Sequence, residues 1–252
     1  MHSVRDPLYK HCRAALRQKR PQTANERAFC EWLSATFDVP APMFVVADRP
    51  DDAFRLWIVF RVKDERDVFF TQTETTYGRD YAKQEAILRK AHELALLDEL
   101  ELIDCFGNRA PPKPWWAWWR KQEAYLPVNE EGRSDLSRWF VSYTAFAPVA
   151  LNEAISRVPK KELRAFKERF SDAGLWHIEL SFDWAIVMFY SEEDRLRAET
   201  NGTEERIREA WKEFLRPYDE FGVLDGFVPR VTFDSKEVFD RDFQSSWMRY
   251  LR

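Results

Sequence analysis

The chain has 252 residues, enough for one large domain or two small ones, and its 45% hydrophobic content supplies a real core. Its 7 glycines argue against a glycine-rich phosphate loop or a turn-dense all-β fold, and a net charge of −4 leaves no basic footprint for a phosphate backbone. No stretch approaches the roughly 18 consecutive apolar residues of a membrane span.

Residues 3–18 read as a helix with Leu8, Cys12, Ala15 and Leu16 on one stripe and basic residues on a solvated face. The segment lacks the apolar region of a secretory signal. Cys12, Cys30 and Cys105 have no metal or redox spacing, and Cys30 reads as a small core residue. That odd cysteine count points to a reducing compartment and a cytoplasmic protein. Pro21 ends the first helix, and Thr23-Ala-Asn-Glu26 is a capping box opening a second, from Asn25 to Phe37. Met43 to Ala47 reads as a strand and Arg49-Pro-Asp-Asp52 as a turn.

Leu56 to Val62 reads as a strand, Lys63 to Asp67 as a charged turn and Val68 to Thr75 as a second strand. Leu88, Ala91, His92, Ala95 and Leu96 then make a helical stripe, and Glu101 to Phe106 a short strand. The same plan recurs later. Trp176, Ile178, Leu180 and Phe182 alternate with polar residues, and Ala185 to Tyr190 is a second apolar run. Ile207, Ala210, Trp211, Phe214 and Leu215 form one stripe of a helix that Asn201 or Thr203 can cap, with Glu204 completing a capping box and Pro217 as its stop. Arg230 to Phe233 supplies the short strand. Sliding Leu56 onto Leu175 also aligns Trp57 with Trp176, Phe70 with Phe189 and Arg89 with Arg208. Helical patterns precede each copy, Asn25 to Phe37 and Lys160 to Phe170.

Between the copies, Gly107 to Pro114 disfavours regular structure, and Asn129 to Asp135 is a second polar break. Ser137 to Phe146 has strand character and Pro148 to Ser156 helical character. The expectation is an α+β protein of two similar αββαβ units, an internal duplication, with antiparallel sheets packed by helices. Residues 1–110 form the first unit with its N-terminal helices, 111–135 a Pro/Trp-rich connector and 136–252 the second unit.

Trp115, Trp116, Trp118 and Trp119 cannot all point to one face of a helix or strand. They read either as a plug between the halves or as an aromatic anchor for a protein partner, and they are the candidate protein-binding residues. Stacking on bases is a third reading, and the acidic balance disfavours it. His177 and Glu179 share a strand face and could do acid–base work, but no nucleophile or third group lies nearby in sequence. His92 reads as a core histidine, and His11-Cys12 has no metal spacing. Glu130-Glu131, Glu192-Glu193-Asp194 and the run from Asp234 to Asp242 lack a calcium-loop pattern and read as solvated faces. With no phosphate-loop, dinucleotide, nucleophile-elbow, HExxH or CxxC motif, the chain offers no catalytic residue, metal or cofactor, which leans against an enzyme.

The ending carries Phe233-Asp-Ser-Lys-Glu-Val-Phe-Asp240 and then Trp247-Met-Arg-Tyr250. It resembles uncharacterised bacterial proteins that run F-D-S-K-E-x-F-D, a short gap and W-x-x-Y, which are similar to immunity proteins carried beside polymorphic toxins. The resemblance spans residues 231–250. It implies a stoichiometric binder whose partner is a cognate toxin domain, blocked by an aromatic anchor within an acidic rim. The alternative is an enzyme of another family, with a cleft between the two halves lined by His177 and Glu179.

Overall fold

The computed structural model describes residues 3–49, 53–71, 81–103 and 136–251. The chain forms two compact units, Met1–Phe146 and Ala147–Arg252, each with a mixed sheet and flanking helices. This is the expected α+β class.

In the N-terminal unit, α1 (Pro7–Arg17) starts at Asp6, whose Oδ1 accepts the Leu8 amide at 2.9 Å. The capping box legible at Thr23 opens α2 (Ala24–Phe37). Thr23 Oγ1 accepts the Glu26 amide at 3.1 Å, and Glu26 Oε2 accepts the Thr23 amide at 2.7 Å. A hairpin of β1 (Phe44–Asp48) and β2 (Phe54–Phe60) follows, then α3 (Lys63–Thr71), α4 (Tyr81–Glu93), α5 (Leu96–Glu99), β3 (Leu102–Ile103) and β4 (Trp139–Ala145). The sheet order is β3-β1-β2-β4, with only the hairpin antiparallel. Its core packs Phe29 and Leu33 of α2 and Ile87 and Leu88 of α4 against Leu56, Ile58 and Phe60.

The C-terminal unit begins with α6 (Ala147–Ser156) and α7 (Lys160–Glu168). A hairpin of β5 (Leu175–Ser181) and β6 (Trp184–Phe189) is followed by α8 (Glu192–Thr200), α9 (Thr203–Leu215), β7 (Arg230–Ser235), α10 (Lys236–Phe243) and α11 (Trp247–Tyr250). The sheet order is β5-β6-β7, the hairpin antiparallel and β6–β7 parallel. The stripe expected on α9 is real: Ile207, Trp211 and Leu215 are fully buried, with Ala210 and Phe214 beside them. Its cap differs from the expected box. Gly202 is the N-cap, Asn201 Oδ1 accepts the Thr203 amide at 3.0 Å, and Glu204 reaches forward to Arg208.

Four expectations change. The sheets are mixed, because both hairpins acquire a parallel neighbour. The turn and strand expected from Lys63 onward are not formed as far as residue 71, and residues 72–75 of that expectation lie outside the described residues. Residues 63–71 are helical, with Asp64 and Glu65 in the favourable first turn and Glu65 Oε2 accepting the Arg61 and Val62 amides at 3.0 and 3.2 Å. Of the apolar run, Phe69 is buried while Val68 and Phe70 are 49% and 44% exposed, an alternation that reads as a strand in sequence although the backbone is helical. The strand at Ser137 to Phe146 joins the first sheet, which moves the unit boundary to Phe146. The expected alignment of two copies does not match the strand order either. Strand order equates β1-β2-β4 with β5-β6-β7, so β2, a central strand, corresponds to β6 and not to the edge strand β5. Leu56 and Leu175 are therefore not equivalent positions, and the identities at that alignment do not report the shared topology.

The β5–β6 turn holds Phe182 at φ 46°, a left-handed conformation unfavourable for a large L-residue, with its ring 43% exposed. Phe182→Asn, which tolerates that conformation, is expected to raise stability by about 0.5–1 kcal/mol in thermal or urea unfolding.

Candidate functional site

A groove of about 490 Å³ wraps the edge of the sheet in the N-terminal unit. Four successive residues of β4, Phe140 to Tyr143, form one wall. Trp57 on β2, the paired Arg66 and Asp67 and then Phe70 on α3, and Gln84 on α4 complete it. Strand alternation places Phe140 and Ser142 on the sheet face shared with Trp57, and Val141 and Tyr143 on the face toward α3 and α4. The Phe146 amide donates to the Phe60 carbonyl at 2.9 Å. The same alternation therefore turns the backbone groups of Val141 and Tyr143 away from β2, toward the groove. Gln84 Oε1 meets the Val141 amide at 3.5 Å, a long and weak bond. The result is an aromatic channel beside main-chain donors and acceptors.

One wall is fixed by a buried ion pair. Asp48 is fully buried, and its carboxylate takes Arg55 Nε at 2.9 Å and Nη2 at 2.8 Å, a bidentate fork. The Arg55 guanidinium lies 4.3 Å from the Trp57 ring centroid and 5.5 Å from that of Phe140. β1, β2 and β4 are thus tied together across one row of the sheet, with two groove aromatics held by the same cation. The Trp57 Nε1 is buried without an acceptor.

In the C-terminal unit the sequence-predicted pair does meet: His177 Nε2 lies 3.1 Å from Glu179 Oε2. Both remain accessible, their side chains 41% and 32% exposed, and Trp247 packs on the imidazole at 5.6 Å. The C-terminal motif is consumed by local structure. Phe233 lies 6.3 Å from Phe189 with Arg208 over its ring at 4.7 Å. Asp234 accepts the Tyr250 hydroxyl at 2.7 Å, and Ser235 caps α10 by accepting the Val238 amide at 3.2 Å. Glu237 reaches the Glu192 amide at 2.9 Å, the start of α8. Lys236 pairs with Asp240, and Phe239 packs 4.5 Å from Trp247. Burial, and then the Asp234 carboxylate, push the Tyr250 phenol well above its ordinary range. This is a clasp joining β7, α8, α10 and α11.

The other sequence candidates divide plainly. Trp115, Trp116, Trp118, Trp119, Cys105, Glu130-Glu131 and the connector 111–135 lie outside the described residues. The run Glu192-Glu193-Asp194 forms the first turn of α8, where Glu192 pairs with Arg195 and Asp194 with Arg197. Among the described residues, no three His, Cys, Asp or Glu side chains gather to hold a metal ion, and no helix is long and apolar enough to cross a membrane. His92 Nδ1 is buried without a hydrogen-bond partner. Burial, and then Arg20, lower the pKa of His11. The groove is not legible in the sequence, where Phe70 reads as part of a strand and β4 as part of the other unit. The exposed Val68 and Phe70 become a signal only once residues 63–71 are known to be helical. Comparison with known protein families, with characterised proteins and with solved structures finds no match to this chain.

Asp48→Ala would remove the bidentate carboxylate from the largely buried Arg55 guanidinium, at a cost of about 3–5 kcal/mol in urea unfolding. Burial pushes the Cys12 and Cys30 thiols from 9.0 up to about 12. A thiol whose pKa is raised by folding adds stability that is complete below the unfolded value and lost as pH climbs toward the folded one. Stability is therefore expected to fall between about pH 9 and 12, less so in a Cys12→Ala/Cys30→Ala variant. A thiol reagent at neutral pH should label both residues only on unfolding.

Proposed function

We propose that the chain works by binding another protein, with the immunity-type role implied by its ending as the specific form: neutralising a cognate bacterial toxin by direct contact. The observation that carries this reading is the aromatic groove on the edge of the N-terminal sheet. An apolar side chain of a partner can enter the groove beside Trp57 and Phe140. The groove falls within the usual size range of sites that enclose a ligand or an anchoring side chain, roughly 300–1,000 Å³. Trp115, Trp116, Trp118 and Trp119 remain the proposed second part of the binding surface. They stand in the stretch of chain that leads into β4, and tryptophan dominates interface hot spots.

The test is affinity capture from the native source with three forms of the chain: wild type, Phe70→Asp, and the four tryptophans together changed to alanine. One dominant partner is expected with wild type, weakened about tenfold or more by Phe70→Asp while its melting temperature stays native. Loss of the partner from the folded tryptophan variant places the anchor there as well. A partner bound equally by all three folded forms overturns the assignment of both surfaces, and capture of none overturns the binding reading.

Acid–base catalysis is the second reading, favoured by the 3.1 Å contact between His177 and Glu179. It requires a substrate whose turnover is abolished in His177→Gln with folding intact.

A further inference from the structure

A second concave site lies in the C-terminal unit, where the end of α7, α8 and the start of α9 meet around a pocket of about 240 Å³. One arginine comes from each: Arg169, Arg197 and Arg206. Their circumstances differ. Arg197 pairs with Asp194, which also accepts the Ser191 hydroxyl at 2.7 Å. Asp194 is pressed against Gly174, where a β-carbon would lie 2.7 Å from its Cγ. That carboxylate is neutralised and built into the wall. Arg169 and Arg206 have no carboxylate partner among the described residues. Arg169 lies over the rings of Phe166 and Phe170, at 5.6 and 5.8 Å, and Arg206 Nη2 donates to Thr203 Oγ1 at 2.6 Å. Both guanidiniums are thus oriented by neutral groups and keep donors free.

The rest of the lining adds to this. The other acidic side chain is Asp172, so three guanidiniums face two carboxylates and the pocket is net positive. The N-cap of α9 is Gly202, and the Thr203 amide is taken by Asn201 Oδ1 at 3.0 Å, which leaves the helix dipole to add to the arginines. The volume is below that of a typical drug-sized ligand site, roughly 300 Å³ and upward, which suits a single small group rather than a nucleotide.

We propose that this pocket binds a phosphoryl group, gripped by Arg169 and Arg206 against the fixed Arg197–Asp194 wall. A tetrahedral dianion with three terminal oxygens can engage both free guanidiniums and the helix start at once, whereas a carboxylate is satisfied by a single arginine fork. The site is independent of the edge-strand groove.

The experiment titrates the full-length chain with inorganic phosphate and, in parallel, with acetate at matched ionic strength, followed by amide chemical shifts. Saturable phosphate shifts at Gly174, Gly202 and Thr203 are expected, with acetate binding at least about tenfold more weakly. Arg169→Gln/Arg206→Gln removes two exposed side chains and should melt as wild type while losing the response. Arg164→Gln, an exposed arginine of α7 outside the pocket, should keep it. Added sodium chloride should weaken binding further. Non-saturating shifts, equal affinity for acetate, or unchanged binding in the folded double variant would each overturn the proposal.

Discussion

Both units rest on a pairing that no hairpin can make. A β-hairpin places its two strands side by side with a tight turn, but a parallel neighbour must be reached by a crossover long enough to return the chain to the same end of the sheet. β2 gains β4 in this way, and β6 gains β7. The connection between β6 and β7 contains α8 and α9, and the apolar stripe of α9 then has one available destination, the sheet face carrying Ala185, Val187 and Phe189. In the N-terminal unit α3 and α4 occupy the same place after β2, and Phe69, Ile87 and Leu88 fill the core. The crossover thus decides which helix faces are buried, and it leaves the opposite sheet face to be finished by other means. In the C-terminal unit the clasp around Phe239 and Trp247 finishes it.

What could be read from the chain follows from the range of each interaction. The Thr23 box, the Ile207-to-Leu215 stripe and the alternation after Leu175 are local, since a few neighbouring residues decide them. The helix at residues 63–71 failed the same test because Val68-Phe69-Phe70 is too short a run to reveal a period. Only its first-turn acids and the backward reach of Glu65 mark it as helical. The parallel pairings are non-local, and nothing around Trp139 says that its partner lies near Phe54 rather than near Trp184. That one ambiguity shifted the unit boundary, made the sheets look antiparallel and hid the groove, whose wall is β4.

The C-terminal motif shows how chemistry-bearing residues can be spent on shape. Its Asp, Ser, Lys and Glu side chains look like a reactive constellation in sequence, yet each has a named structural partner: Tyr250, the Val238 amide, Asp240 and the Glu192 amide. A helix cap, a hydroxyl–carboxylate bond and an aromatic stack cooperate over a short stretch of chain, and a chain sharing these residues has the means to build the same clasp. The likeness in that stretch therefore speaks to architecture first. The exposed His177–Glu179 pair beside it is in contact with the clasp through Trp247.

The two ends of the N-terminal sheet are unequal. Among the described residues, β3 contributes two residues at one edge, while β4 runs for seven at the other. A long edge beside apolar side chains is where sheets of separate molecules join, the usual route from a folded monomer to irreversible aggregation. Gln84 blunts this edge at a single amide, and no proline or inward-pointing charge interrupts residues 139–145. Colloidal stability in this protein should therefore be governed by one strand: whatever occupies β4 also acts as its solubilising cover, and concentration becomes a hazard when that strand is bare.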